Sequence, residues 1–292
     1  MITLATLAWP VEPTRGIAAY AAKLDHWVGA AKSGGADLVL MPEYACVELG
    51  AALAGNAARD AATELRAMVD AAEDILKAMR EAAIRHGLWL QPGTLPMREG
   101  ATIVNRAPLV APDGRMAMQD KRMMTRFETE HWGVTPGRPP RIFATPWGLI
   151  GIAICYDAEF PKLVRAQVEA GAWLILVPTC TDTLHGFNRV RIGAQARAME
   201  NQCFVAIAPT VGGFEGSVAL DENHGAAGVF GPVDRGFTTD GVVGEAALDA
   251  PGLLFTILDP ARLEAVRADG DVRNHRDWPR APVPRPTPAR FT

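Results

Sequence analysis

The chain has 292 residues, of which 49% are hydrophobic and 21% charged, and its formal net charge is −4. A chain of this length forms one large domain or two and buries roughly 75% of the surface that its unfolded form exposes. The composition is that of an ordinary globular enzyme. The charge gives no reason to expect nucleic acid or an anionic membrane as a partner. The apolar runs are far shorter than the roughly 20 residues of a membrane span.

The amino terminus and the cysteines predict a cytoplasmic protein with reduced thiols. The first residues, M-I-T-L-A-T-L-A-W-P, have no basic segment, so they predict a strand and not a signal peptide. The cysteines form no C-x-x-C pair and the histidines show no ligand spacing, so we expect no metal and no cofactor. The cysteines are Cys46, Cys155, Cys180 and Cys203.

Strands and helices alternate in the first part of the chain, and strands follow one another in the middle. The predicted elements are a strand at 2–8, a helix at 14–32, a strand at 37–41 and a long helix at 59–86. From Leu88 onward the apolar residues no longer recur at helical spacing, and the sequence has the pattern of strands. These are predicted at 88–94, 103–110, 115–120, 141–145 and 149–154, with a turn at 111–114.

The last part of the chain returns to alternating strands and helices. The predicted elements are helices at 161–171 and 185–201, strands at 173–177, 203–209, 227–231, 242–247 and 253–258, and a short helix from Pro260. A glycine-rich stretch that ends near Asn223 is expected to be weakly structured. This order of elements predicts one domain, 1–275, with a two-sheet core and helices outside.

The segment 276–292 contains five prolines and predicts an extended tail. Such a segment cannot build a core of its own, so we expect it to lie across a partner subunit. The tail therefore predicts further copies of the chain as partners, in a homodimer or a larger homo-oligomer.

Residues 145–161, T-P-W-G-L-I-G-I-A-I-C-Y-D-A-E-F-P, place a cysteine at the end of a buried strand. Pro161 occupies the kind of position in which a helix begins. Between strand and helix, Cys155 lies where the helix dipole and free amides favour a thiolate or an oxyanion, as in the nucleophile elbows of other hydrolases. The alternative is a small core residue, the usual place of a free cysteine.

Charged residues near other strand ends are candidates for the groups that a cysteine nucleophile needs. Glu43 follows L-V-L-M-P and is a candidate base, with a loop acid or a helix cap as the alternative. Lys121 follows M-A-M-Q-D, although lysines after strands usually face solvent. Glu130 lies nine residues further on, with Glu128 as its near competitor, and acids in such polar loops are mostly surface residues.

Three blocks of the sequence resemble, in order, the signature blocks of the nitrilase superfamily of carbon–nitrogen hydrolases. They are L-V-L-M-P-E-Y, D-K-R-M-M-T-R-F-E-T-E-H-W-G-V-T-P-G and G-I-A-I-C-Y-D-A-E-F-P. The resemblance continues through 178–182 and 196–202 and so covers nearly the whole chain. It implies an α/β fold of the αββα four-layer sandwich type, with two central mixed sheets covered by helices.

The resemblance also implies a Glu–Lys–Cys triad and a second glutamate. On this sequence these residues are Glu43 as base, Lys121, Cys155 as nucleophile and Glu130 as the second glutamate. Lys121 and the backbone N–H of Tyr156 are then expected to face the oxyanion of a tetrahedral intermediate. The pKa of Cys155 stays open at this point, because Lys121 and the helix terminus lower it whereas Glu43 raises it.

The activity expected from the resemblance is hydrolysis of a small linear amide or N-carbamoyl compound. It proceeds through a thioester and releases ammonia or an amine. The triplet C-Y-D looks more like the amidase branches than the C-W-E of many nitrilases, and a nitrile is the alternative substrate. A binding or scaffold protein without catalysis is the alternative of another class, although all four positions carry chemically competent residues.

Four further residues are candidates for the wall of the substrate pocket: Tyr44, Glu159, Thr179 and Arg191. Arg191 has the alternative of a helix-surface ion pair. Glu159 is a departure from the resemblance, because many amidases with a C-Y-D block carry arginine at this position.

Overall fold

Strand pairing and helix packing define an α/β sandwich. The computed structural model describes residues 1–55, 60–281 and 285–289. The strands are β1 (Ile2–Val11), β2 (Leu38–Leu40), β3 (Trp89–Gln91), β4 (Leu95–Glu99), β5 (Thr102–Val110), β6 (Met116–Asp120), β7 (Ile142–Thr145), β8 (Gly148–Ile152), β9 (Leu174–Thr179), β10 (Phe204–Gly212), β11 (Gly228–Phe230), β12 (Val242–Glu245) and β13 (Gly252–Leu258).

Helices and short helical turns connect these strands. The helices are α1 (Ile17–Ser33), α2 (Gly50–Ala54), α3 (Ala61–Asp70), α4 (Ala72–His86), α5 (Pro161–Glu169), α6 (Leu184–Asn201), α7 (Pro260–Asp269) and α8 (Asn274–Asp277). The 3₁₀ turns span Ala45–Leu49, Cys155–Glu159 and Trp278–Arg280, and a π turn spans Glu128–Trp132. Among the described residues, no helix combines the length and the apolar composition that a bilayer-spanning segment needs.

Two mixed sheets are joined along one ladder. In the first sheet β1 pairs in parallel with β2 and antiparallel with β13, β2 pairs with β3, and β5 pairs with β3, β4 and β6. The second sheet has the order β7-β8-β9-β10-β11-β12. The ends of β1 and β10 connect the two through the parallel register of Trp9 with Thr210.

The alternation of side chains along β2 shows that both faces of the first sheet are covered. Leu38 and Leu40 belong to one buried cluster with Ile152 of the second sheet. Val39 points to the other side and belongs to a cluster with Leu24 of α1. Because successive strand residues face opposite ways, the sheet has the second sheet on one face and helices on the other. The predicted αββα sandwich is confirmed.

The predicted helix at 59–86 is two helices. Ala71, with φ −91° and ψ 1°, ends α3 and precedes α4. The apolar pattern does not reveal this break, because both helices turn their apolar side chains toward the same buried cluster. The start of α3 is set by Asp60, whose carboxylate accepts the N–H of Thr63 at 2.8 Å. Arg59 lies outside the described residues.

The structure differs from the sequence prediction at two further places, β4 and the carboxyl terminus. The sequence pattern does not predict the strand β4, because Pro96 disfavours a strand, yet β4 pairs antiparallel with β5. The tail expected to be extended begins with helical turns at α8 and Trp278–Arg280. The guanidinium of Arg165 lies 4.8 Å from the ring centroid of Trp278, so this part contacts its own chain. The predictions for 282–284 and 290–292 lie outside the described residues.

A buried ion pair supports the strand that leads to Lys121. Arg106 of β5 donates to Asp120 of β6 through Nε at 2.6 Å and through Nη2 at 3.0 Å. Both side chains are buried. Two parallel hydrogen bonds fix the guanidinium plane of Arg106 relative to the carboxylate plane of Asp120. This contact therefore holds the end of β6 against β5.

The variant Arg106→Gln is expected to lower the free energy of unfolding by about 3–5 kcal/mol, because it leaves the carboxylate of Asp120 buried without its main partner. Urea unfolding followed by circular dichroism measures the loss. Arg115→Gln is the matched control, since Arg115 also binds an aspartate, Asp113, but at the surface. The control is expected to unfold like the unmodified protein. Equal midpoints for the two variants would contradict a stabilising role of the buried pair.

Candidate active site

Cys155 lies in the sharp turn that follows β8. Its φ is 46°, a left-handed value that is strained for a residue other than glycine. The side chain is buried, and the thiol is 3.7 Å from the carbonyl oxygen of Cys180, which accepts from it. The order of strand, sharp turn and helix is as predicted. However, α5 begins only at Pro161, so Cys155 heads the 3₁₀ turn Cys155–Glu159 and not α5 itself.

Lys121 is buried between two carboxylates. Its Nζ lies 2.7 Å from Oε1 of Glu43 and 2.7 Å from Oε2 of Glu128. All three side chains are at most 3% exposed. Lys121 follows β6 and Glu43 follows β2, so the fold brings together side chains from separate strand ends. The structure thus brings Glu43 and Lys121 into contact, and Cys155 lies near enough for Glu43 to raise the pKa of its thiol and for Lys121 to lower it.

The second carboxylate that contacts Lys121 belongs to Glu128, and the structure does not bring Glu130, the predicted second glutamate, to this cluster. Glu130 is 51% exposed and forms a surface pair with Arg126, Nε to Oε1 at 3.0 Å. In the π turn Glu128–Trp132 the two terminal side chains are buried, whereas Glu130 lies between them on the outer side. Two acids separated by one residue cannot share a face of a helical turn, so only one of them reaches Lys121.

A local sequence signal distinguishes the two glutamates. Thr125 and Glu128 form a reciprocal capping box, a pattern in which a threonine precedes a glutamate by three residues. The N–H of Thr125 donates to Oε2 of Glu128 at 2.9 Å, and the N–H of Glu128 donates to Oγ1 of Thr125 at 3.3 Å. Glu130 has Phe127 at the equivalent position. The T-R-F-E pattern therefore favours Glu128 over Glu130 on local sequence alone.

Asn105 and Tyr44 complete the hydrogen bonds of the two carboxylates. Nδ2 of Asn105 donates to Oε1 of Glu43 at 2.8 Å and to Oε1 of Glu128 at 3.3 Å. The hydroxyl of Tyr44 donates to Oε1 of Glu128 at 2.9 Å. Asn105 is not among the site residues predicted from the sequence, although a fully buried polar residue inside the apolar strand I-V-N-R-A is itself a signal.

Burial and neighbouring charges set the protonation of these groups. Burial raises the pKa of Glu43 to about 7, with a further rise from the charge of Glu128, against the lowering effect of Lys121. Burial alone would raise the pKa of Glu128, but Lys121 and the donors around it hold that pKa below its ordinary value. Burial alone would lower the pKa of Lys121, but both carboxylates hold it well above its ordinary value. Lys121 is therefore a permanent cation, and Glu43 titrates near neutrality.

The thiol of Cys155 is neutral at neutral pH. Burial raises its pKa well above the ordinary value, the charge of Glu43 adds to the rise, and Lys121 opposes it. A thiol in this state needs a base if it is to act as a nucleophile. A carboxylate with a pKa near the working pH is suited to this task.

The pocket residues predicted from sequence divide into two groups. Tyr44 contacts the site through Glu128, and Thr179 is buried at the end of β9, where its hydroxyl donates to the carbonyl of Ala208 at 3.2 Å. The N–H of Tyr156 is one of the first in the turn that Cys155 opens, a position without a partner inside the turn.

The other two pocket candidates form ion pairs on or near α6. Glu159 ends the 3₁₀ turn and lies 3.7 Å from Nε of Arg189. Nη2 of Arg191 donates to Glu245 at 2.8 Å, and its guanidinium lies over the ring of Phe230. These contacts of Arg191 agree with the ion-pair alternative, and its place in the substrate pocket stays a prediction.

Comparison with known proteins identifies the class to which this fold and site belong. Residues 4–231 match the family model of the carbon–nitrogen hydrolases. The chain therefore belongs to the carbon–nitrogen hydrolase family, enzymes that act on C–N bonds other than peptide bonds. The predicted membership of the nitrilase superfamily is confirmed.

The individual relatives are about 30% identical to this chain over the aligned residues. The chain is 31% identical over 258 residues to the probable hydrolase YhcX of Bacillus subtilis, covering 88% of this chain and 50% of that protein. The chain thus spans about half the length of that relative. It is 29% identical to a deaminated glutathione amidase of Synechocystis sp. PCC 6803, covering 83% of this chain and 86% of that protein.

Solved structures share the fold. A structure of the amidase from Nesterenkonia sp. AN1, with acrylamide added at its active-site cysteine, has a TM-score of 0.70 at 26% identity and covers 95% of this chain and 100% of that chain. Nit3 of Saccharomyces cerevisiae, a member of branch 10 of the nitrilase superfamily, has a TM-score of 0.72 at 20% identity. It covers 91% of this chain and 93% of that chain.

The different positions of the two glutamates predict different effects of their removal. Glu128→Gln is expected to lower kcat/KM for amide hydrolysis roughly 10²-fold or more, because Lys121 loses a charged partner that orients it. The acidic limb of the pH profile is expected to move to lower pH, because the charge of Glu128 raises the pKa of Glu43. Steady-state ammonia release at several pH values measures both effects.

Glu130→Gln is the matched control for this measurement, since the same substitution is made two residues away at the surface. It is expected to leave kcat/KM and the pH profile unchanged. A loss of activity in Glu130→Gln with normal activity in Glu128→Gln would reverse the assignment.

Proposed function

We propose that this protein is a cofactor-free thiol hydrolase that cleaves the C–N bond of a small linear amide or N-carbamoyl compound. Cys155 is the nucleophile, Glu43 the general base and Lys121 the cation that faces the oxyanion. The observation that carries the proposal is the contact of one lysine with two buried carboxylates, one of which also faces a strained, buried thiol. Amidases among the relatives support the choice of an amide.

Acylation begins when Glu43 takes the proton of the Cys155 thiol as Sγ attacks the carbonyl carbon of the substrate. The developing oxyanion is stabilised by the ammonium group of Lys121 and the N–H of Tyr156. When the intermediate collapses, the C–N bond breaks and Glu43 returns its proton to the leaving nitrogen. Ammonia or an amine departs, and a thioester remains on Cys155.

Deacylation uses the same groups in the reverse order. Glu43 takes a proton from a water molecule whose oxygen attacks the thioester carbonyl, and Lys121 again faces the oxyanion. Collapse breaks the C–S bond, the acid product leaves, and the proton on Glu43 returns to the sulfur. Glu128 keeps Lys121 charged and oriented throughout, because its own carboxylate stays ionised. The proton balance closes after each turnover.

A reducing compartment suits this chemistry, since the nucleophile must remain a free thiol. All four cysteines lie within the described residues, and each of them is free. We therefore infer that the enzyme works in the cytoplasm. A homodimer or larger homo-oligomer is part of the proposal.

The proposed function is tested by trapping the thioester. Intact-mass measurement of acid-quenched enzyme during turnover of a panel of linear amides and N-carbamoyl compounds is expected to show a mass increase equal to the acyl group. Cys155→Ala is expected to show no adduct and no ammonia release, whereas the control Cys203→Ala, at a second free and buried cysteine, keeps both. Ammonia release from nitriles alone would favour the nitrilase alternative. Binding of the panel without turnover or adduct would favour the scaffold alternative.

The role of Glu43 predicts a pH-dependent rate. Its pKa of about 7 means that the basic form grows as the pH rises through neutrality, so kcat/KM is expected to rise over that range. Glu43→Gln keeps the shape and removes the base, and is expected to slow single-turnover acylation on the order of 10²–10⁴-fold. Stopped-flow acylation between pH 5 and 9 measures both. If Glu43→Gln were acylated at the rate of the unmodified protein, Glu43 would not be the base.

A further inference from the structure

The groups of the proposed site come from two different sheets. Lys121 follows β6, which belongs to the first sheet, and Cys155 follows β8, which belongs to the second. In the described residues the two sheets share backbone hydrogen bonds only where β1 meets β10. No strand ladder therefore sets the distance between the ammonium group of Lys121 and the thiol of Cys155.

The carboxylate of Asp157 connects the two segments directly. On one side it accepts the N–H of Arg122 at 3.1 Å and the N–H of Met123 at 2.7 Å, in the two residues that follow Lys121. On the other side it accepts the N–H of Ile154, which precedes Cys155, at 3.3 Å. One side chain thus joins the backbone next to the cation to the backbone next to the nucleophile.

The chemistry of this junction requires an ionised carboxylate. Three backbone N–H groups converge on the two oxygens of Asp157, which is 3% exposed and forms no ion pair in the described part of the chain. An ionised carboxylate only accepts hydrogen bonds, whereas an amide or a protonated acid would turn a donor toward one of these N–H groups. Burial raises the pKa of Asp157 to about 6, opposed by Lys121 and the N–H donors, so the acid is mostly ionised at neutral pH.

The backbone of Lys121 is held from its other side as well. Its N–H donates to the carbonyl of Asn105 at 2.9 Å, and its carbonyl accepts the N–H of Gly137 at 3.0 Å. The first of these contacts ties Lys121 to β5 of the first sheet, and Asp157 ties the two residues after Lys121 to the turn of Cys155. Since a misplacement of about 1 Å in a catalytic site costs on the order of 10²-fold in rate, such a junction has a large influence on turnover.

We propose that Asp157 is a positioning residue that fixes Lys121 relative to Cys155 and thereby controls the reactivity of the thiol. The inference rests on the proposed function only in taking Cys155 as the nucleophile and Lys121 as the cation that faces the oxyanion. Asp157 itself touches neither the substrate nor the reacting atoms. It acts through the backbone N–H groups of the residues that follow Lys121 and of the residue that precedes Cys155.

The test uses the reactivity of the thiol, which does not depend on knowing the substrate. The rate of alkylation of Cys155 by iodoacetamide is measured from pH 5 to 10 by peptide mass spectrometry on the full chain. Because Lys121 lowers the pKa of the thiol, Asp157→Asn is expected to move the alkylation profile to higher pH. In amide hydrolysis, kcat is expected to fall roughly 10²-fold with KM little changed.

Asp234→Asn is the matched control. Asp234 also joins two backbone segments, by accepting the N–H of Arg235 at 2.7 Å and of Asp271 at 2.9 Å, away from the thiol. The control is expected to keep both the alkylation profile and kcat, even where its melting temperature falls. A normal alkylation profile and normal kcat in folded Asp157→Asn would overturn the proposal, whatever the amide panel shows.

A second variant covers the case in which Asp157→Asn does not fold. Asp157→Glu keeps the charge and displaces the carboxylate by one methylene group, so it is expected to fold and to show the same shift in alkylation. Both variants are compared as the native peak from gel filtration. If neither variant yields folded protein, Asp157 is a folding residue and the proposal is wrong. If no amide is hydrolysed but the alkylation profile shifts, the positioning role holds and the proposed function fails.

Discussion

The structure depends on one buried ammonium group held between two carboxylates. Lys121 cannot be buried alone, because the cost of removing a charge from water is several kcal/mol. Glu43 and Glu128 each approach it to 2.7 Å, which leaves one negative charge in excess within the buried cluster. That excess is relieved when Glu43 takes up a proton near neutral pH, whereas Glu128 stays ionised among its donors. The same pair of carboxylates that allows the lysine to be buried also gives Glu43 a pKa near neutrality, as its proposed role as the base requires.

This electrostatic arrangement explains why the thiol is buried. Burial raises the pKa of Cys155, so in the proposed mechanism the sulfur stays neutral until Glu43 accepts its proton. A resting thiolate would be exposed to side reactions, whereas a neutral thiol beside a base becomes nucleophilic only as it attacks. The strained φ of 46° at Cys155 is maintained by the turn around it, in which the Asp157 carboxylate accepts the N–H of Ile154.

The fold supplies the geometry by bringing strand ends from two sheets to one place. Glu43, Lys121 and Cys155 each follow a strand, and each side chain enters the region where those strands end. Asn105 lies within β5 and contacts both carboxylates from the side of the first sheet. A site assembled in this way needs connections between the segments that follow the two sheets, and the side chain of Asp157 accepts hydrogen bonds of that kind from Arg122 and Met123.

Local sequence determined most strands and helices, the turn at Cys155 and the candidate roles of Glu43 and Lys121. These depend on apolar periodicity and on the residues that begin and end an element, and both are encoded within a few positions. Tertiary structure decided which of two acids faces Lys121, although the T-R-F-E capping box was a readable signal. It also decided that Arg191 pairs with Glu245 and that α3 and α4 break at Ala71. These features depend on which face of a helix or turn packs against the rest of the protein. The residues that pack there are distant in the chain, so local sequence does not determine the outcome.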